Sequence, residues 1–395
     1  MAKDGILRND VIWNTVVGRL PRGTEHFLPT KSSFLRLLRG ICQRNNIVEP
    51  KINSDFILES HLCMDIDGEN FVQCDTGPDS PPGERVIILG TLAGVERVSS
   101  GDILLMDGLH NVPRTFFQLY SIHVPVHGVG LPSLYALLES KTEATYGILI
   151  RKIKEICIEH GFPIPDPTAC VVDFELAMMN TVETHFKGAK INGCFFHLNQ
   201  NLYRQVHSKK YTPLLKTWRF KLTLKKLMAL AYMREKDVEI VFKALQSRKG
   251  LSKAEKDMIN YFGETYVIGK LRRGRGARSG ERDEPRYDIP VWNIHQALIQ
   301  NNPITNNSVE CWHKQFQAML KQICKGDMFP FLEKLKLDAK VSYARLVGLE
   351  NNTEVPRQKL LGFQRSTKIR FVIEKRYESQ ALMITLNAIA KILMK

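Results

Sequence analysis

Long apolar runs are missing from this chain. No stretch approaches the roughly 18 uninterrupted apolar residues that a membrane-crossing helix needs, and the opening Met1-Ala-Lys-Asp-Gly5 has no apolar core of a secretory leader. An intracellular, soluble protein is expected. The 8 cysteines, Cys42, Cys63, Cys74, Cys157, Cys170, Cys194, Cys311 and Cys324, are scattered and form no Cys-x-x-Cys pair. That excludes a secreted disulfide scaffold, points to a reducing compartment, and leaves no paired cysteines and histidines at zinc-finger spacing. No glycine-rich phosphate loop of the P-loop or Rossmann kind occurs, and no motif context supports a Ser-His-Asp or Cys-His nucleophile. Acidic residues are in deficit: 41 against 56 Lys and Arg, a formal net charge of +15. Such a surplus favours a polyanionic partner, with DNA or RNA ahead of an acidic membrane surface.

At 395 residues and 44% hydrophobic content the chain can bury a sizeable core and hold two or three domains. Ser32 and Ser33 are placed to cap a helix through Phe34, Leu37, Leu38 and Ile41. Strand-like pieces follow at Phe56 to Met64 and Asn70 to Cys74, then the breaker Gly77-Pro-Asp-Ser-Pro-Pro-Gly83. From Arg85 the pattern becomes regular. Val86 to Leu89 is β-rich, Gly94 to Val98 helical, and Ile103 to Met106 an apolar run suited to a strand buried on both faces. Asp107-Gly108 is expected to end that strand, setting a carboxylate at the edge of the sheet where open α/β folds place ligands. Phe116 to Pro125 and Leu131 to Leu138 flank Val126-His-Gly128 as a hairpin. A helix carries Tyr146, Leu149, Ile153, Ile156 and Cys157 on one face and stops near Gly161-Phe-Pro163. Ala169 to Val172 is another apolar strand ending on a carboxylate, Asp173, before a helix through Leu176, Met179, Val182 and Phe186. This order suits a mixed α/β sheet whose right-handed crossovers bring the strands of Asp107 and Asp173 side by side.

From Leu198 to Pro303 the character is helical, with a capping box at Ser252-Lys-Ala-Glu255. Lys270 to Arg282 is too rich in glycine and arginine to be packed and is expected to be a mobile loop. Its Arg272, Arg273, Arg275, Arg278 and Arg282 are candidates to bind DNA phosphates without sequence preference, beside the plain alternatives of a solvated loop or a nuclear-localisation signal. Thr305-Asn-Asn-Ser308 starts a helix that places Glu310 near its first turn. Beyond Gly348, helical and basic pieces alternate and end in the amphipathic Leu382 to Met394.

Two aspartates at strand ends and a glutamate on a later helix are what a two-metal phosphoryl-transfer site requires. Mg²⁺ takes oxygen ligands and is usually held by one or two carboxylates plus the substrate phosphate. Taken singly, Asp107 and Asp173 are also ordinary turn and capping residues, and Glu310 an ordinary partner of a helix dipole.

Four blocks together resemble the Mutator-like element (MULE) transposases: Asp107-Gly-Leu-His-Asn-Val-Pro-Arg-Thr-Phe-Phe-Gln-Leu-Tyr-Ser-Ile-His123, Val171-Val-Asp173-Phe-Glu175, Gly193-Cys194-Phe-Phe-His197 and Thr305-Asn-Asn-Ser-Val-Glu310-Cys-Trp312-His313. The resemblance covers residues 85 to 325. It implies an RNase H-like (retroviral-integrase-like) core with a DDE triad of Asp107, Asp173 and Glu310, Mg²⁺ or Mn²⁺ as cofactor, and a helical insertion before the glutamate. The implied organisation is an N-terminal mixed region over 1–84, the core over 85–197, the insertion over 198–304, the closing helix over 305–325 and a basic helical tail over 326–395. It further implies DNA cleavage and strand transfer, DNA ends and target DNA as partners, a homo-oligomer and a nuclear seat.

Cys194 and His197 match the family's Cys-x-x-His pair, which as chemistry is at most half a zinc site, so Zn²⁺ stays open. His123, His127 and His313 are packing or supporting candidates. Two departures stand out: Leu109-His110 replaces the family's small residue and Phe, and the FLYWCH-type or WRKY-like finger often carried by members is not visible. The competing readings are a transposase-derived protein that binds DNA without cutting, a nonspecific nuclease on the same fold, and an RNA-binding protein acting through the Arg/Gly stretch.

Overall fold

The computed structural model describes Ser33 and residues 56–110, 112–113, 115–272, 278, 280–323, 328–351, 360–376 and 382–394. The helix expected after Ser32, together with Cys42, Arg273, Arg275 and Cys324, lies outside the described residues, apart from Ser33 itself.

The short apolar runs become strands of one mixed sheet. They are β1 (Val72–Asp75), β2 (Val86–Leu89), β3 (Ile103–Leu109), β4 (Gln118–Val126), β5 (Val129–Leu138), β6 (Ala169–Val172) and β7 (Lys190–Gly193). Their order is β1-β2-β5-β4-β3-β6-β7, antiparallel from β1 to β3 and parallel from β3 through β6 to β7. The strands expected to carry Asp107 and Asp173 are therefore neighbours. Residues alternate between two buried faces: Val86, Ile88, Leu104 and Met106 enter one cluster, while Ile87, Leu89 and Leu109 enter the other. Burial on both sides explains why these strands read as apolar runs rather than as alternation.

The β4–β5 hairpin turns on His127 and Gly128, with φ of +48° and +78°. Two left-handed residues make the primed turn whose twist matches the strands.

Asp107-Gly108 does not end β3. The strand continues to Leu109 because β4 pairs with it over Leu105 to Leu109, Asp107 facing Ser121 and Gly108 facing Tyr120. A ladder partner overrides the turn preference of Asp-Gly. A Cβ on Gly108 would meet Gln118 Oε1 at 2.4 Å, so the glycine serves a close approach instead. The strand expected at Phe56 to Met64 is likewise replaced by a helical turn at Ser60–Cys63. Of that stretch, only Met64 is bridged to another strand-like residue, Asn70, and Leu62 N–H instead closes a turn on Glu59 O.

Helices α1 (Leu92–Ser100), α2 (Glu143–Glu159) and α3 (Leu176–His185) bury apolar stripes in the first cluster. Thr91 and Thr142 cap the first two, each side chain accepting an N–H three residues on. The same buried cluster runs on into a helical region of α4 (Phe195–Ser208), α5 (Trp218–Ala229), α6 (Glu235–Gln246) and α7 (Lys253–Phe262). The capping box of Ser252 and Glu255 is formed. On the opposite face lie α8 (Asn307–Ile323) and α9 (Met328–Glu350), burying Trp312, Phe316, Phe331 and Leu335 against Ile87, Tyr135 and Leu137. Two further helices, α10 (Leu360–Arg376) and α11 (Leu382–Met394), add Ile369, Ile373, Leu386 and Ile389 to the first cluster. Among the described residues no helix is long and apolar enough to cross a membrane.

Candidate active site

Strand parity decides where Asp107 points. Leu105, Asp107 and Leu109 lie on one face of β3, the face on which Val309 and Trp312 of α8 are buried. Asp107 is consequently only 8% exposed. Its Oδ1 accepts the N–H of Gly108 at 2.9 Å, and its Oδ2 lies 3.6 Å from His313 Nδ1. On the parallel neighbour, Asp173 is the first residue past β6, half-exposed, its Oδ1 accepting the N–H of Phe174 at 2.5 Å.

Glu310 comes from the first turn of α8, where its N–H bonds Asn306 O at 2.8 Å. The start of that helix is fastened three times, once to β3 and twice to the head of α4. Asn306 Nδ2 donates to Met106 O at 3.0 Å, Asn306 N–H donates to Cys194 Sγ at 3.2 Å, and Phe195 N–H donates to Ile304 O at 3.1 Å. Cys194 is thus a buried structural acceptor at the head of α4, its thiol pushed up to about 12 by burial. One turn later, His197 stands between two acids: Nδ1 is 3.5 Å from Asp173 Oδ1 and Nε2 is 3.8 Å from Glu310 Oε1.

The electrostatics follow from burial. Desolvation, and then Asp173, push Asp107 up to about 8. Desolvation raises Glu310 to about 7, partly relieved by Lys314 and reinforced by Asp173. Burial lowers His197, and pushes His313 down to about 4 and His123 to about 3. Neutral imidazoles add no compensating charge to the carboxylates. Glu310 Oε1 and His197 Nδ1 are also buried without a hydrogen-bond partner, which is the pattern of a site built to receive a cation.

Two overlapping ligand sets share His197. Asp107, Asp173 and His197 offer atoms within 4.8 Å of one another, and so do Cys194, His197 and Glu310. Carboxylate oxygens with one imidazole suit Mg²⁺ or Mn²⁺; the second set adds a thiol, which suits a softer ion. The residues present therefore fit a divalent metal. Beside them a cleft of about 40 Å³ is lined by Asp107, Gly108, His110, Gln118, Asp173 and Glu175.

The three predicted acids and the Cys-x-x-His pair are thus brought together. The described ends of the arginine stretch are paired, while residues 273–277 and 279, with Arg273 and Arg275, lie outside the described residues. Leu271 bridges Arg282, Arg272 pairs with Glu281 and Asp283 at 2.6 Å each, and Arg282 Nη1 donates to Gly269 O at 2.8 Å. Alternating acids in Glu281-Arg-Asp-Glu284 supply those partners. Leu109 is buried in the core while His110 is exposed on the cleft, edge-on to Phe117 at 5.2 Å.

Sequence reasoning missed that His197 lies between the acids, that His313 backs Asp107, and that Glu175 borders the cleft. The signals were His313 three residues after Glu310, one turn along the same helix face, and Glu175 two residues after Asp173. Glu175 is raised by burial and accepts from Tyr146 OH at 3.3 Å, which itself receives Gln118 Nε2 at 2.8 Å.

No curated protein matches the chain. A family model does match, that of the MULE transposase domain, over residues 103–201, from the first residue of β3 into α4.

Proposed function

We propose that this protein is a DDE transposase on an RNase H-like core, cleaving DNA strands at element ends and joining the freed 3′-hydroxyls to target DNA. The observation that carries the reading is the convergence of Asp107, Asp173 and Glu310 from three separated chain segments around one imidazole. The mixed sheet supports the fold assignment, with an antiparallel β5-β4-β3 unit joined to parallel β6 and β7, Asp107 on β3 and Asp173 just past its neighbour β6. The helical stretch between His197 and Thr305 is the insertion, and the nucleus the expected seat.

Asp107, Asp173 and Glu310 would hold divalent metal, which when bound supplies activation of the attacking oxygen and neutralisation of the leaving one. The chain's own residues prepare that site. His313 Nδ1 faces the Asp107 carboxylate while its Nε2 meets Ser121 Oγ at 3.2 Å, holding the ring's orientation. His197, whose charged form burial disfavours, stands between Asp173 and Glu310. Cleavage breaks a P–O3′ bond, water giving its oxygen to phosphorus and the 3′-oxygen leaving as hydroxyl. Transfer repeats the displacement with that hydroxyl on a target phosphodiester.

The test is nicking of supercoiled plasmid by the purified chain with Mg²⁺ or Mn²⁺, beside Asp107→Asn, Asp173→Asn and Glu310→Gln. The expected outcome is loss of nicking in all three with plasmid binding retained. A wild type that binds plasmid but nicks no better than the variants would make the chain a transposase-derived DNA-binding protein instead.

A further inference from the structure

A phosphodiester approaching Asp107, Asp173, Glu175 and Glu310 meets like charge, so the strand beside it needs cations that are free to take phosphate. Arg204 and Arg286 answer to that description. Along α4, His197, Asn201 and Arg204 follow one another at i, i+4 and i+7 and share one face of the helix. Arg204 is exposed, and its Nη1 donates to the neutral Asn201 Oδ1 at 3.3 Å. Asn201 Nδ2 in turn donates to Tyr266 OH at 3.3 Å. Tyr266 stacks on Tyr287 at 5.6 Å with planes 22° apart, and the exposed Arg286 lies over the Tyr287 ring, its Cζ 5.5 Å from the centroid.

The two arginines therefore stand at the ends of one continuous patch, with Asn201 and the stacked tyrosines as its floor. Both ends adjoin the acids. At one end the same helix face carries His197, 3.5 Å from Asp173 and 3.8 Å from Glu310. At the other, Tyr287 OH donates at 2.8 Å to the carbonyl of Phe174, the residue after Asp173. The charges agree with this placement. Burial lowers His197, Asp173 opposes that and Arg204 adds to it, while Tyr287, raised chiefly by burial, is lowered by Arg286 and raised by Asp173. Among the described residues neither arginine forms an ion pair, unlike Arg272 with Glu281 and Asp283. A guanidinium partnered by an amide or a ring keeps donors for a phosphate.

We infer that Arg204 and Arg286 bind backbone phosphates of the DNA strand next to the one that is cut, leading that strand away from the acids across Asn201, Tyr266 and Tyr287. The inference rests on the active-site reading above and says where its substrate lies.

The test is fluorescence anisotropy of a labelled random-sequence DNA duplex with the full chain at several salt concentrations, in chelator and in Mn²⁺. Arg204→Ala and Arg286→Ala are compared with Arg204→Lys, which keeps the charge, and with Lys249→Ala, which removes an exposed cation in the turn between α6 and α7. Free Mn²⁺, read by electron paramagnetic resonance without DNA, follows the metal site separately. The expected result is a slope of log K against log salt lowered by about 1 in each Arg→Ala variant and by about 2 in the pair, with Arg204→Lys and Lys249→Ala at the wild-type slope. Mn²⁺ should tighten the wild type on DNA, and less so the two Arg→Ala variants, since fewer of their strands are seated at the acids. Wild-type slopes and a wild-type Mn²⁺ gain in both variants would overturn the inference while leaving the metal site standing. Lowered slopes with an undiminished Mn²⁺ gain would put the arginines on DNA away from the acids, which also overturns it. A wild type that binds no Mn²⁺ would remove the active-site reading, and the inference with it.

Discussion

At the scale of single residues, two of the site's acids, Asp107 and Glu310, are unwilling to ionise. Asp107 rises from an ordinary 3.8 to about 8, and Glu310 from 4.5 to about 7, both chiefly through burial. Between its unfolded and folded values each acid binds more proton in the native state, so its contribution is complete at low pH and is lost as pH rises through the folded value. His123 and His313 act in the opposite sense. Lowered from 6.5 to about 3 and about 4, they add stability as pH rises towards 6.5 and nothing further above it. The uncompensated loss therefore falls between about pH 6.5 and about 8. In chelator, the urea midpoint should drop across that window, Asp107→Asn should flatten the drop, and Mn²⁺ should restore more stability at the alkaline end than at the acid end. A midpoint level across the window in the wild type would show that Asp107 ionises freely.

At the scale of elements, one carboxylate ties the helix bearing Glu310 to the sheet. Asp338 Oδ2 on α9 accepts both Tyr135 OH of β5 and Trp312 Nε1 of α8, each at 2.7 Å. Trp312 is stacked on Phe316 at 5.0 Å and edge-on to His123 at 5.4 Å, so its indole sets the rotation of α8 over β3 and β4. Asp338→Ala strands two buried donors and should cost about 2 to 4 kcal/mol in chemical denaturation, with a loss of nicking larger than that of Asp338→Asn. A second contact tests the other face. A Cβ on Gly94 would meet Ser133 O at 2.1 Å, and since that atom is backbone, Gly94→Ala should destabilise by about 1 to 3 kcal/mol, measured by urea titration. The hairpin at His127-Gly128, the cap at Ser252 and the helix of Tyr146 were legible because turn chemistry and helical spacing are local. The extension of β3 through Asp107 was not, since it depends on a ladder partner 14 residues further on, as Ser121 opposes Asp107.

At the scale of the whole molecule the +15 charge is not a uniform coat. Arg272 and Arg282 are engaged by Glu281, Asp283 and the Gly269 carbonyl, so charge counted along the chain overstates what is offered to a phosphate backbone. DNA binding should weaken steeply with salt, and Lys270→Glu with Arg278→Glu should lower the slope of log K against log salt by about 2 if each cation meets one phosphate. A filter-binding series at several salt concentrations reads this directly, and an unchanged slope would place the DNA path elsewhere.

What the chain's own order determined was a set of local decisions: which apolar runs extend, where helices cap and stop, and which acids stand at or beside strand ends. Those depend on side-chain periodicity and turn preference among near neighbours, which is why Asp107, Asp173 and Glu310 were identifiable as candidates. Tertiary structure alone decided that His197 divides Asp173 from Glu310, that Cys194 anchors Asn306, and that Tyr287 reaches the carbonyl beside Asp173. Each of those contacts joins residues more than 20 positions apart, and only the closing of helices over both faces of the sheet brings them within bonding distance.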